Sequence, residues 1–165
     1  MTDVEIAAAA VELGRRLAAR GAFVTTAESC TGGLVAGAIT DVAGSSGWFE
    51  RGFVTYSNEA KVDLLSVPAE TLARHGAVSE ETARAMAEGA LRASRADFAV
   101  AITGVAGPAG GTPAKPVGMV CFAWGVRNGP VTAATRHFPG DRAAVRRASV
   151  VHALQGLIDR IGPVQ

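Results

Sequence analysis

Two short segments of the chain carry side chains suited to acyl-transfer chemistry, and the first contains Ser29. This serine follows a predicted strand and precedes Gly32 and Gly33, where a helix is predicted to start. In that position a hydroxyl can be exposed at a sheet edge while helix N–H groups point toward an incoming anion. A serine before a helix is more often a cap, so Ser29 needs a partner base before it indicates a nucleophile.

Lys61, in the second segment, supplies a candidate base. The chain has two lysines against fourteen arginines, and only lysine can lose its proton at accessible pH. Ser57 is predicted to cap a helix that holds Lys61 in its first turn, where the helix dipole disfavours a cation. With burial, this placement would lower the lysine pKa from its free value of about 10.4. Neutral Lys61 could then deprotonate Ser29; the alternative is a solvated lysine paired with Glu59 or Asp63.

Other residues could share this chemistry or compete for it. The single tyrosine, Tyr56, could simply end a strand, or its hydroxyl could hold the amine or the substrate. Cys30 is the alternative nucleophile, because a thiolate at a helix N-terminus is chemically reasonable. The histidines show no triad order beside a serine or an acid and are interpreted as structural: His75, His137 and His152.

Two further segments are candidates for substrate binding. Thr103 and Gly104 end a continuous apolar strand and open a Gly/Pro-rich loop, the position at which α/β sheets place ligands. Their hydroxyl and amides could polarise a carbonyl or hold a phosphate, although a mobile surface loop has the same composition. Arg142 and Arg146 share one face of the last predicted helix, and they could bind a phosphate or form a solvated surface. The sequence leaves the choice of phosphate ligand open.

The elements that would position these residues alternate along the chain. Helices are predicted over about 3–20, 32–40, 57–65, 68 onward, 79–94 and 140–161, and strands over 23–27, 49–55, 97–103, 117–126 and 131–138. A loop is predicted at 44–47, and Asn128-Gly129 predicts a hairpin between the last two strands. Helices at both ends and between strands predict a three-layer α/β/α sandwich with a mixed sheet, formed by residues 1–165 as a single domain.

Composition narrows the function classes. The formal charge is +1 with no basic block, which argues against a non-specific nucleic-acid partner. The two cysteines lie far apart in sequence and lack metal-ligand spacing, so neither a zinc site nor a disulfide framework is indicated. No apolar run reaches transmembrane length, and charges at helical intervals interrupt the alanine-rich N-terminus. We expect a cytoplasmic protein with no membrane partner.

Seven motifs spread over most of the chain resemble the CinA C-terminal domain family. They are TAESCTGG at 26–33, AGSS at 43–46, GFVTYSNEAK at 52–61, HGAVSE at 75–80, TGVAGP at 103–108, KPVG at 115–118 and FPGDR at 138–142. The resemblance implies an amidase that needs no metal or cofactor and uses a Ser/Lys pair, which falls on Ser29 and Lys61. Tyr56 and Thr103 would belong to the same site.

Standalone members of this family deamidate nicotinamide mononucleotide to nicotinate mononucleotide and ammonia in pyridine-nucleotide salvage, which is the function the resemblance implies. The oxyanion would be held by backbone N–H groups near Cys30, Thr31, Gly32 and Gly33, or by Thr103 and Gly104. Two alternatives stay open: a non-catalytic nucleotide-binding or regulatory module, and hydrolysis of another small amide. A homo-oligomer is implied by the family alone. One departure is Ala109, where the family loop often has aspartate or glycine; an acid missing there would weaken substrate binding.

Overall fold

The structure is a computed structural model that describes residues 2–164. Within that range six α-helices and five strands follow one another in the order α1 (Thr2–Arg20), β1 (Val24–Glu28), α2 (Leu34–Thr40), β2 (Phe49–Val54), α3 (Asn58–Leu65), α4 (Ala69–His75), α5 (Glu80–Arg92), β3 (Phe98–Gly104), β4 (Met119–Val126), β5 (Val131–His137) and α6 (Arg142–Ile161). Every helix and strand predicted from the sequence is present, with shifts of one or two residues at most ends.

The five strands form one mixed sheet in the order β2-β1-β3-β4-β5. β1 lies between β2 and β3 and runs parallel to both, so the three strands end at the same edge of the sheet. β3, β4 and β5 are antiparallel neighbours, and the predicted hairpin joins β4 to β5. β1 and the first six residues of β3 are buried, as expected for strands covered on both faces.

Helices cover both faces of the sheet, which confirms the predicted three-layer sandwich. On one face α1, α2 and α6 pack their apolar side chains on the sheet around Leu13, Ile39, Phe122 and Leu154. On the other face α5 and the end of α3 pack around Leu65, Met86 and several alanines. Gly89 permits the close approach of these two helices, because a Cβ there would lie 1.9 Å from the Leu65 carbonyl oxygen.

Two predicted helix starts and the predicted loop needed correction. The helix expected from Gly32 begins at Leu34, because Gly32 and Gly33 have φ angles of 56° and 103° and lie in the left-handed region. Pro68 precedes the first turn of α4 instead of occupying it. The segment predicted as a loop at 44–47 contains a 3₁₀ turn over Ser45–Gly47.

The predicted serine caps are confirmed. The Ser57 hydroxyl accepts the Ala60 N–H at the start of α3, and the Ser79 hydroxyl accepts the Thr82 N–H at the start of α5. Across residues 2–164, none of the helices is both long and apolar enough to cross a membrane.

Candidate active site

The candidate site lies where β1 and β2 end side by side. The chain leaves β1 toward α2 on one face of the sheet and leaves β2 toward α3 on the other. A crevice opens at such a point in an α/β sheet. Ser29 is the first residue after β1, and Thr55 and Tyr56 are the first two after β2. The topology therefore brings the two chemistry-bearing segments of the sequence to one edge.

Lys61 reaches Ser29 from the first turns of α3. Lys61 and Leu65 are one helical turn apart and both are buried, so the face of α3 that packs on the protein also directs the lysine inward. Its Nζ lies 3.0 Å from the Ser29 Oγ, and both side chains are largely removed from solvent, with Lys61 0% and Ser29 8% exposed. The predicted base and nucleophile are thus in hydrogen-bond contact.

Backbone carbonyls hold the lysine amine in place. Nζ donates to the carbonyl oxygens of Thr55 at 2.8 Å and Tyr56 at 3.2 Å, and lies 3.5 Å from that of Ser57. Burial lowers the pKa of Lys61, because the charged form loses hydration. In the neutral amine two N–H bonds can go to the carbonyls of Thr55 and Tyr56, which leaves the nitrogen lone pair for the Ser29 hydroxyl proton. The geometry suits a general base.

Tyr56 contributes its backbone to the amine and its side chain to a neighbouring arginine. The Tyr56 carbonyl accepts from Lys61, whereas the Tyr56 hydroxyl accepts from Arg142 at 3.1 Å. The interpretation in which this hydroxyl holds the amine therefore does not describe the structure. Arg142 also donates to the Gly107 carbonyl at 2.9 Å, so its guanidinium links the strand end at Tyr56 to the Gly/Pro-rich loop.

These residues surround one open cavity of about 320 Å³. The polar side chains of Ser29, Lys61 and Thr103 are among those that line it, and the Thr103 hydroxyl donates to the Ala77 carbonyl at 2.8 Å. Small and apolar residues form most of the remaining wall, including Ala77, Val78, Val105, Ala106 and Ala109, together with glycines 104, 107, 110 and 111.

Four of the predicted site residues do not line this cavity: Thr31, Gly32, Gly33 and Arg146. The Thr31 hydroxyl and the Gly33 N–H both donate to the Glu28 carboxylate, at 2.6 and 3.2 Å. Arg146 donates to the carbonyls of Cys30 and Thr31, and its guanidinium lies against Gly32. The structure thus separates two arginines that share one helix face. Arg142 lines the cavity, and Arg146 lies against the turn that carries Ser29, formed by residues 29–32.

Sequence reasoning missed Glu28 as a functional candidate. Its side chain is 0% exposed and accepts hydrogen bonds from four donors around the start of α2. The available signal was a carboxylate inside a strand otherwise free of charge, directly before a candidate nucleophile. Buried acids require such partners.

Cys30 also lines the cavity, beside Ser29. Burial raises the pKa of its thiol to about 12. A thiol with so high a pKa supplies almost no thiolate near neutral pH, which makes Cys30 a poor nucleophile in comparison with the paired serine. Within residues 2–164 there is no group of three or more His, Cys, Asp or Glu side chains placed to hold a metal ion.

Comparisons with known proteins agree with this architecture. Two curated relatives are nicotinamide-nucleotide amidohydrolases PncC: that of Escherichia coli K12 is 59% identical over 95% of each chain, and that of Pseudomonas putida is 56% identical over 90% of this chain and 92% of the relative. The crystal structure of the competence/damage inducible protein CihA from Agrobacterium tumefaciens is 51% identical, with a TM-score of 0.92 over 94% of each chain.

The sequence profile of the CinA C-terminal domain matches residues 6–161. That match covers almost all of the chain and spans both Ser29 and Lys61. The chain belongs to the CinA C-terminal domain family.

Proposed function

We propose that the protein is an amidohydrolase that converts nicotinamide mononucleotide and water to nicotinate mononucleotide and ammonia, as a step of pyridine-nucleotide salvage. The names and high identity of the PncC relatives support this substrate. The observation that carries the chemistry is the 3.0 Å contact between the Lys61 amine and the Ser29 hydroxyl in the wall of the cavity. A buried lysine whose pKa is lowered by burial is suited to act as the base toward an adjacent serine, which supports the proposed pair.

In the first half of the reaction Ser29 Oγ attacks the carboxamide carbon while neutral Lys61 takes the hydroxyl proton. The carbonyl π electrons move to oxygen, giving a tetrahedral oxyanion. Collapse of this intermediate breaks the C–N bond as protonated Lys61 gives its proton to the departing nitrogen, which leaves as ammonia. The positive pyridinium ring of the substrate withdraws electrons from the amide and so assists the attack.

In the second half water hydrolyses the acyl ester on Ser29. Lys61, neutral again, takes a proton from water as the oxygen attacks the ester carbon. The second tetrahedral intermediate then expels Ser29 Oγ, which recovers its proton from Lys61. The carboxylic acid formed loses its remaining proton to solvent, and nicotinate mononucleotide leaves as the carboxylate.

The oxyanion needs hydrogen-bond donors, and we assign them to the turn that follows Ser29. This turn is closed by the Gly32 N–H, which donates to the Ser29 carbonyl at 3.0 Å, and the Gly33 N–H donates to Glu28. These bonds direct our proposal to the amide of Cys30, the central turn residue that lines the cavity. Loss of one such donor typically lowers turnover by ~10²–10³-fold.

We assign the phosphate to Arg142. It is the arginine that lines the cavity, and its guanidinium already bridges the Tyr56 hydroxyl and the Gly107 carbonyl. Arginine is suited to phosphate because its planar fork donates two parallel hydrogen bonds. The pyridine ring would then lie against the apolar wall near Val78 and Ala106.

The decisive experiment measures ammonia and nicotinate mononucleotide formed from nicotinamide mononucleotide by the wild type, Ser29→Ala and Lys61→Met. We expect turnover in the wild type and its loss in both folded variants. Arg142→Gln should raise KM for the mononucleotide and leave KM for nicotinamide riboside, which has no phosphate, nearly unchanged. Wild-type protein that binds the mononucleotide without releasing ammonia would instead be a binding module. Turnover of a different small amide alone would refute the assigned substrate.

A further inference from the structure

The turn that carries Ser29 is held from two sides by charged side chains that do not line the cavity. Glu28 reaches it from the strand side and Arg146 reaches it from α6. Neither side chain is in a position to contact a substrate in the cavity. Glu28 instead accepts from the Thr31 hydroxyl and from amides at the start of α2, and Arg146 donates to two carbonyls of the turn.

Glu28 collects the donors at the start of α2. Its Oε1 accepts from the Thr31 hydroxyl at 2.6 Å, the Gly33 N–H at 3.2 Å and the Val35 N–H at 3.0 Å, and its Oε2 accepts from the Ala36 N–H at 3.0 Å. The N-cap of α2 is Gly33, which has no side chain to cap the helix. A strand residue therefore caps this helix, and it ties the helix start to the residue that precedes Ser29.

Arg146 collects the carbonyls of the same turn. Its Nε donates to the Cys30 carbonyl at 3.0 Å and one terminal nitrogen donates to the Thr31 carbonyl at 3.3 Å. A planar trans peptide points its C=O and N–H in opposite directions. Because Arg146 fixes the Cys30 carbonyl toward α6, it also fixes the Thr31 N–H on the side away from the guanidinium.

We propose that Glu28 and Arg146 are positioning residues that hold the Ser29 hydroxyl and the oxyanion-binding Cys30 amide in register with Lys61. The proposal rests on the proposed amidase function. It gives the two arginines of α6 different tasks: Arg142 binds substrate, and Arg146 orients the nucleophile turn. The competing hypothesis is that Arg146 is a phosphate ligand.

Kinetics separate these hypotheses. Glu28→Gln puts an amide N–H₂ against a donor, and Arg146→Gln removes the fork that spans two carbonyls. A displacement of about 1 Å in a catalytic group can cost ~10²-fold in rate, so we expect kcat to fall by about that factor with KM for nicotinamide mononucleotide nearly unchanged. Arg147→Gln is the matched control, since Arg147 is the next residue of α6 and pairs with Asp3; it should keep wild-type kcat.

Serine-directed labelling gives a second measurement that does not depend on the nucleotide. The rate at which a fluorophosphonate modifies Ser29, followed by intact mass, should fall in Glu28→Gln and Arg146→Gln in parallel with kcat. Melting temperatures identify variants that fail to fold. Thr31→Val would then replace Glu28→Gln, and Arg146→Lys would replace Arg146→Gln, because each of these milder changes removes one contact of the turn. Added guanidinium at low concentration should partly restore labelling and kcat in Arg146→Ala.

Several results would overturn the proposal. Folded variants with wild-type kcat and labelling rate would show that the turn keeps its geometry without the two side chains. A rise in KM for the mononucleotide but not the riboside in Arg146→Gln would assign Arg146 to the phosphate. If the wild type releases no ammonia, the proposed function fails, yet the labelling rates still test the positioning; a wild-type Ser29 that the probe does not modify would overturn the positioning as well.

Discussion

Replacing Lys61 by methionine should abolish most of the activity while the fold survives. Methionine fills a similar volume but offers no lone pair to the Ser29 hydroxyl, which lies 3.0 Å from the amine. General-base catalysis typically contributes ~10²–10⁴-fold, so we expect kcat to fall by a factor in this range. Because the serine and lysine act as a unit, Ser29→Ala/Lys61→Met should be no slower than the slower single variant.

The cost to stability can be bounded from the contacts of the amine. The carbonyl of buried Thr55 loses its 2.8 Å donor, and an unsatisfied buried carbonyl costs about 1–3 kcal/mol. The Tyr56 carbonyl keeps the Ser29 hydroxyl, 3.4 Å away, as a donor. The variant no longer buries an ionisable amine, which offsets part of the loss. Since 1 kcal/mol corresponds to about 2–4 °C in Tm for chains of this size, Lys61→Met should remain folded.

The pH dependence supplies the signature of the lysine. A free lysine is neutral in only about 0.04% of molecules at pH 7, and burial lowers the pKa of Lys61 and so raises that fraction. We expect kcat/KM to rise with pH to a plateau, with an apparent pKa below about 10.4. The unfolded chain binds this proton more tightly than the folded one, so stability should also rise with pH up to about that value. Lys61→Met should lack this rise.

The assays are coupled ammonia detection across pH and thermal unfolding by circular dichroism in the same buffers. Lys61→Met that keeps more than a tenth of wild-type kcat would refute the assignment of Lys61 as base. So would a double variant whose losses are the product of the single losses, because the serine and lysine would then act independently.

Three further predictions concern other groups. Cys30→Ala should keep near-wild-type kcat, and alkylation of wild-type Cys30 near neutral pH should be slow because its pKa is about 12; a loss as large as that in Ser29→Ala would make Cys30 the nucleophile. Burial, with Arg136 and Arg160 nearby, lowers the pKa of His152. The free energy of unfolding, measured by chemical denaturation, should therefore fall as pH drops below about 6.5, and it should fall less steeply with pH in His152→Phe. Equal slopes in the two proteins would contradict this. Gly89→Ala should lower Tm more than ordinary overpacking does, because its Cβ would meet the Leu65 carbonyl. Gly37→Ala should not lower Tm, because nothing lies within 4 Å of its Cβ. Equal Tm changes in the two variants would refute the packing argument.

Local rules account for the features that the sequence predicted well. Ser57 and Ser79 cap their helices because the signal is contained within three residues of each cap. The fold class followed from the alternation of apolar strands with capped helices. The order β2-β1-β3-β4-β5, in contrast, depends on pairings between distant segments that no local pattern records.

Side-chain destinations were harder to predict than side-chain identities. Tyr56 lines the cavity, but its carbonyl, a group that every residue has, is the one that accepts from the amine. Glu28 was passed over because its partners are mostly backbone amides of the following helix. A sequence names side chains, and much of this site is built from main-chain atoms.

Arg142 and Arg146 show that sequence spacing alone does not determine which groups a side chain contacts. Residues four apart lie on one face of a helix but are displaced by about 6 Å along its axis. That displacement takes the guanidinium from the cavity wall, where Arg142 meets Tyr56, to the back of the serine turn, where Arg146 meets two carbonyls. Both arginines satisfy the same sequence pattern. Their proposed roles differ because α6 places Arg142 in the cavity wall and Arg146 against the turn that carries Ser29. Comparing the effects of Arg142→Gln and Arg146→Gln on KM and kcat is therefore the most direct test of whether Arg146 positions the turn that carries Ser29.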